Sequence, residues 1–168
     1  MTSPREVRVH LLACFEAPYR VLGEGAPGLT NDACLVRAYE LARAFGELAL
    51  LVRDELGDLD VAPLTAIEAT LSRALLVDPS GALALYVTAT LVAPRLLVSL
   101  RDARLELADP GIDALVDTAQ ARIVAEVLAI GGLAERLEPA DAQWLVVSRE
   151  LGDALDAAGF AESFGLSG

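Results

Sequence analysis

The sequence predicts an all-α, single-domain bundle of five to six helices around a central uncharged helix at about residues 81–107, kinked at Pro94. Three observations predict this fold. The chain is 54% apolar but only 5% aromatic, so its apolar mass is Ala, Leu and Val, the makeup of packed helices rather than of a β-sandwich. Apolar residues recur at three- and four-residue spacing through most of the chain. Pro, Gly, Ser, Thr, Asn and Asp fall where helices begin and end. At 168 residues the chain is long enough for one well-buried core.

The N-terminal segment, residues 3–22, opens with Ser3-Pro4-Arg5-Glu6, an N-cap, an N1 proline and a glutamate that closes a capping box. Val7, Leu11, Phe15, Tyr19 and Leu22 follow at helical spacing as its inward face. Val7, Val9 and Leu11 also alternate, so a short strand within residues 4–16 is the competing assignment. Pro18 is expected to bend or break the helix. Gly23-Glu24-Gly25-Ala26-Pro27-Gly28 reads as a loop, residues 23–29.

The main bundle spans residues 30–158. Thr30 or Asn31 caps a helix that runs to about Leu56 and stops at Gly57, with Leu35, Tyr39, Ala42, Phe45, Leu48, Val52 and Leu56 inward. A shorter helix starts near Asp60 and Pro63, buries Leu64, Ile67, Leu71 and Leu75, and ends before Asp78-Pro79. Ser80 then caps the central segment. No charged residue occurs from Pro79 through Pro94, whereas a surface helix would show charge on every turn. Pro94 removes a backbone hydrogen bond and is expected to kink this helix.

Asp109-Pro110 starts the next helix, with Ile112, Leu115, Val116, Ala119, Ile123, Val127 and Ile130 on one face. Gly131-Gly132 is expected to weaken or end it before a turn through Leu137. Pro139 opens the last helix, with Trp144, Val147, Leu151 and Leu155 inward and Gly159 as its stop. Residues 159–168 form an apolar tail whose Phe160, Phe164 and Leu166 would dock on this subunit or a neighbour. LLVRDELGD at 50–58 and LVVSRELGD at 145–153 resemble each other and are both expected to close a helix. The match reads as a coincidence of shared helix-end constraints.

Charge and residue inventory exclude several functions. A net charge of −12 repels a phosphate backbone, so no nucleic acid partner is expected. It also repels an anionic membrane surface, and no uncharged apolar stretch reaches membrane-spanning length. Residues 1–6 lack the features of a signal peptide, and two cysteines need form no bridge, so a cytoplasmic protein with reduced thiols is expected. All 13 cations are arginine, which GC-rich coding explains more simply than function. Without lysine there is no Schiff-base amine and no P-loop lysine. One histidine, His10, allows no two-imidazole site within a subunit.

The remaining chemistry is thin. A ferritin-like carboxylate metal protein is the natural reading of an all-helical chain this size, but no Glu-x-x-His is present. Neither a metal site nor a cofactor is therefore expected. The catalytic candidates are His10, Glu68 and Glu126, and Cys14 and Cys34 lack a pattern that would activate a thiol. Arg95, Arg101 and Arg104 form a positive cluster that could grip an anion, unless they pair with acidic neighbours. Tyr39, Tyr86 and Trp144 could edge an apolar pocket beside Pro94. The leading expectation is a non-enzymatic helical protein that self-associates, as a homo-oligomer, or docks a protein partner. The alternative is a binder, or a cofactor-independent isomerase or cyclase, for a hydrophobic small molecule near Pro94.

Overall fold

The computed structural model describes residues 3–57, 59–134 and 141–160. The chain order is α1 (Pro4–Gly25), a 3-10 turn (Ala26–Gly28), α2 (Asp32–Leu56), α3 (Thr65–Val77), α4 (Ala82–Val87), a π-helical turn (Thr88–Val92), α5 (Ala93–Glu106), α6 (Pro110–Ala134) and α7 (Asp141–Ala157). Among the described residues there is no strand, and the fold is an all-α single domain. The strand alternative for residues 4–16 is thereby excluded.

The capping box at the head of α1 forms as the sequence dictates. Ser3 Oγ accepts from the Glu6 N–H at 3.1 Å, and Glu6 Oε2 accepts from the Ser3 N–H at 2.7 Å. Pro18 does not break α1, and Gly23–Gly25 is helix rather than loop. Tertiary packing overrides local preference at both points. Pro18 is buried within the fold, and Gly25 lies so close to Leu75 that a Cβ there would fall 2.5 Å from Leu75 Cδ1. The chain turns only at Ala26–Gly28, where Ala26 is itself buried.

α1 and α2 form an antiparallel hairpin. Glu16 meets Arg53, Tyr19 covers Gly46, and Gly23 faces Ala42, a descending register along α2. Phe15 and Phe45 pack with ring centroids 6.3 Å apart. Every residue from Leu11 to Pro18 is buried, so the middle of α1 is enclosed on all sides. That stretch includes a charge. Glu16, 6% exposed, accepts from Arg53 Nε at 2.9 Å, from Arg53 Nη2 and from Arg20 Nη2. Arg53 Nη1 also donates to the Leu59 carbonyl at 3.1 Å, and Arg20 Nη1 to Glu68 at 3.4 Å. One carboxylate thus ties α1 to α2, α3 and the segment between them. Tyr19 and Tyr39, expected inward, are 47% and 46% exposed. The inward stripe of α2 is carried instead by Cys34, Ala38, Leu41, Ala42, Phe45, Leu48 and Val52.

The uncharged segment packs against α2, α3, α6 and α7, as a central helix must. Asp78 rather than Ser80 leads its start, with Oδ2 accepting from the Leu83 N–H at 2.9 Å and Oδ1 from the Ser80 N–H at 3.1 Å. Gly81 is required there, because its φ of 92° is left-handed and a Cβ would meet Leu29 at 2.7 Å. The irregularity assigned to Pro94 falls one turn earlier. The Ala93 N–H reaches back to the Thr88 carbonyl, the five-residue bond of a π turn. Widening this turn accommodates the proline, which has no N–H and whose ring crowds the preceding carbonyl. Thr88 and Thr90 hydroxyls donate to the carbonyls of Ala84 and Tyr86 at 2.7 and 2.8 Å.

Ala82–Glu106 is by length and composition apolar enough to cross a membrane, with a mean hydropathy of 1.7 over an 18-residue window that runs past the uncharged stretch to include Arg95. Of that stretch 56% is buried inside the protein's own core, which supplies a reason for its apolarity.

Asp109 caps α6, accepting from the N–H groups of Gly111 and Ile112 at 2.8 and 3.1 Å. α6 continues through Gly131 and Gly132 to Ala134 rather than ending there. α7 ends in a Schellman motif, with the Phe160 N–H on the Leu155 carbonyl, the Gly159 N–H on that of Asp156 and Gly159 at φ 81°. Phe160 is buried in this subunit's core; Phe164 and Leu166 lie outside the described residues, as do Leu137 and Pro139. The two similar nine-residue segments behave differently. The first closes α2 at Gly57, but Gly152 of the second is inside α7.

Glu16→Ala is expected to destabilise the fold by about 2–4 kcal/mol, because it leaves two arginines facing a buried gap while their outer atoms stay hydrated. Thermal unfolding measures this, and an unchanged melting temperature would show that the clasp is dispensable.

Candidate functional site

The catalytic candidates are dispersed. His10 is half-buried on α1, with Nε2 3.6 Å from Cys14 Sγ and its ring edge-on to Phe160 at 5.8 Å. It lies between a cleft lined by Glu6, Ser99, Asp102 and Glu106 and a second beside Val61 and Ala62. Burial pushes the His10 pKa below its ordinary 6.5. Cys14 is fully buried and burial drives its thiol well above the usual range, so this Cys–His contact holds no exposed nucleophile. Cys34 is also buried, and its thiol is raised by burial and by Asp78. Glu68 belongs to the Glu16 clasp through Arg20. Glu126 is buried on the inward face of α6, 3.5 Å from Arg37 Nη1, and its Oε2 has no hydrogen-bond partner. Among the described residues, no three His, Cys, Asp or Glu side chains are placed to hold a metal ion.

The arginine cluster does not converge on one point. Arg95 reaches across to Asp156 and the Gly152 carbonyl on α7. Arg101 lies against Asp102 at 3.0 Å, and Arg104 bonds Asp117 and the Asp113 carbonyl on α6. Arg95 and Arg104 thereby tie α5 to its two neighbours.

Three ligand candidates do meet along one seam. Tyr86 packs edge-on against Trp144 with centroids 5.9 Å apart, and Arg95 closes the same α7 seam two turns further on. The π turn lies between them. Trp144 Nε1 and Ser148 Oγ, one turn apart on α7, are buried there with no hydrogen-bond partner. Tyr39 is remote from this seam, exposed on α2.

The largest departure from the expected surface lies on α2 and α6. Val36, Leu50 and Leu51 on α2 are 53%, 61% and 44% exposed, and Val124 and Leu128 on α6 are 44% and 72% exposed. Between the helices runs a groove of about 490 Å³, lined by Ala44, Leu48, Leu51, Thr118, Ala121 and Ala125, with Glu47 and Arg122 at its edge. Its charges are mutually satisfied. Glu47 holds Arg43 Nε at 3.0 Å and Arg122 Nη2 at 2.9 Å, and Arg37 faces Glu126. α2 and α6 in full carry four arginines (Arg37, Arg43, Arg53, Arg122) and eight acidic residues (Asp32, Glu40, Glu47, Asp54, Glu55, Asp113, Asp117, Glu126), so the pair keeps the acidic balance of the chain although the edge of the groove is locally paired. The inward-stripe reading missed this surface. The signal for it was apolar residues off the stripe, notably Leu50 and Leu51 within LALLV, and a run without charge after Glu126.

Comparison with protein-family models, with curated proteins and with solved structures finds no match.

The depressed His10 pKa makes a pH prediction. Below about pH 6.5 the unfolded chain binds a proton that the folded chain resists, so this term is lost as pH falls from there toward the folded pKa. His10→Gln is therefore expected to lose less stability than the parent chain between about pH 7 and 5. Equal losses in paired denaturant titrations at the two pH values would contradict a buried neutral imidazole.

Proposed function

We propose that this chain is a non-enzymatic helical protein that associates with protein surfaces, of its own kind or another's, through the outer face of α2 and α6. The observation that carries the reading is the set of exposed apolar side chains on α2 and α6, of which Leu51 lines the alanine-floored groove between these helices. Contiguous exposed apolar surface of this kind costs free energy in water and is relieved by covering it. A shallow groove with a small-residue floor lets the ridge of another helix approach closely, and satisfied ion pairs at its edge need no partner charge. The residue inventory supports the same reading, since the only Cys–His contact is buried and its thiol stays protonated.

Leu128→Arg is expected to change folding stability by no more than about 0.5 kcal/mol, because its side chain is 72% exposed, while weakening association. A photo-reactive residue at position 128 should cross-link to protein in the producing cell. A probe at Leu105, exposed on α5, is the control. Cross-linking from position 105 but not from 128 would sink the reading.

A second reading, a pocket for a hydrophobic small molecule beside the π turn, is favoured by the unpaired Trp144 Nε1 and Ser148 Oγ. Trp144 is the sole tryptophan, so its emission reports on this seam directly. Titration with apolar ligands bearing a carbonyl or carboxylate should shift it saturably, and an unmoved spectrum across such ligands would dispose of the pocket.

A further inference from the structure

We infer that the seam between α7 and the π turn binds an uncharged apolar molecule by its carbonyl, a ketone or an ester, through Trp144 Nε1 and Ser148 Oγ. This inference rests on the second reading above and names the class of molecule.

The donors carry the first part of the argument. Among the described residues, Arg104 Nε, Glu126 Oε2, Trp144 Nε1 and Ser148 Oγ are buried without a hydrogen-bond partner. The first two lie beside an opposite charge, Arg104 Nε 3.5 Å from Asp113 and Glu126 Oε2 3.5 Å from Arg37. Trp144 and Ser148 are neutral and lack that compensation. Buried polar groups are nearly always paired, so two orphans one turn apart on α7 mark a shared need. An indole N–H can only donate, so whatever meets it must accept. A carbonyl oxygen has two lone pairs and can take the serine hydroxyl as well.

Their place on the fold is the second part. Trp144, Ser148, Gly152 and Asp156 recur every four residues along α7. Tyr86 meets Trp144, and Arg95 meets Asp156 and the Gly152 carbonyl. Ser148 therefore falls between these contacts, at the level of the π turn Thr88–Val92. The Thr88 and Thr90 hydroxyls donate to the Ala84 and Tyr86 carbonyls, so their protons serve their own helix. π turns widen a helix and are frequent at functional sites. Both α7 donors are sealed from water, so a molecule that reaches them parts α7 from this turn.

Charge selects the class of molecule. Arg95 is held by Asp156, and Arg73 of α3 by Glu150 of α7. Arg149 is exposed and shares the outer face of α7 with Leu145 and Val146. A carboxylate entering the seam would lose its hydration to two neutral donors, with each of the nearby cations paired or turned outward. The net charge of −12 opposes it further. A neutral carbonyl satisfies both donors without that cost. The stretch from Pro79 through Pro94 holds no charged residue, so the wall facing α7 suits an apolar body.

The test compares methyl hexyl ketone with octanoate, which has as many carbons, at about pH 8, where the acid is ionised. Trp144 emission and the melting temperature of the whole chain are the readouts. The ketone should shift both saturably, and octanoate at equal concentration should shift neither. Ser148→Ala should weaken ketone binding by about tenfold, the worth of one hydrogen bond, without lowering the melting temperature of the free chain. Trp144→Phe should abolish the ketone's effect on melting. Octanoate binding as tightly as the ketone overturns the inference and leaves the pocket reading standing. A silent response to both overturns the inference, and the wider ligand titration then decides the pocket reading. Ketone binding unchanged in Ser148→Ala, or a free chain that this substitution destabilises, also overturns it, because the hydroxyl then serves the fold and not the carbonyl.

Discussion

The fold depends on one buried carboxylate. Glu16 sits in the most enclosed stretch of the chain, where an unpaired charge would cost several kcal/mol. Arg20 comes from the next turn of α1, Arg53 from α2, and through them Glu68 and the Leu59 carbonyl are drawn in. Each participant limits where another element can lie. α1 and α2 must run antiparallel in one register, α3 must bring Glu68 to Arg20, and the chain between α2 and α3 must fold back under Arg53. A second clasp does the same near the head of α1, where Arg8 reaches both Glu55 at the end of α2 and Asp109 at the cap of α6. Asp109 is held below the ordinary carboxylate range by the N–H groups of α6 and by Arg8, so the cap stays charged well into acid.

Around that frame the uncharged helix does a different job. α1 is anchored by charge at its centre, whereas Ala82–Glu106 is held by apolar contact with helices on several sides. Its one backbone problem, a proline in mid-helix, is met by the π turn that precedes it. The turn lies on the seam with α7 beside Trp144 and Ser148, so the local irregularity and the unpaired polar atoms coincide in space.

The outer face of α2 and α6 follows from the same packing. α2 turns Cys34, Ala38, Leu41, Phe45 and Val52 toward the core, and α6 turns Ile112, Val116, Ala119, Ile123 and Ile130. Once these stripes are used, Val36, Leu50, Leu51, Val124 and Leu128 are left 44–72% exposed. Glu47, between Arg43 and Arg122, neutralises the edge of the groove without filling it. A folded chain with this composition therefore carries a second, outward apolar surface on the two helices best able to present it.

The sequence by itself determined the helical class, most helix boundaries and the interior stripes of α3 and α6. Those features are local: spacing at three and four residues, caps at Ser3, Asn31 and Asp109, and stops at Gly57 and Gly159 act within a turn or two. It also limited the chemistry to carboxylates, arginines, tyrosines and one imidazole. Tertiary structure decided what depends on distant neighbours. Helix continues through Gly23–Gly25 where a loop was expected, with Leu75 packed against Gly25, and α7 runs on through Gly152, a position that reads as a helix end. Glu16 looked like one more glutamate until Arg53, 37 residues away, came to meet it. Tyr39 read as interior by spacing, yet Ala38 and Leu41 took the inward positions and left Tyr39 46% exposed. Periodicity marks which side chains share a helix face; only the packed neighbours decide whether that face is covered.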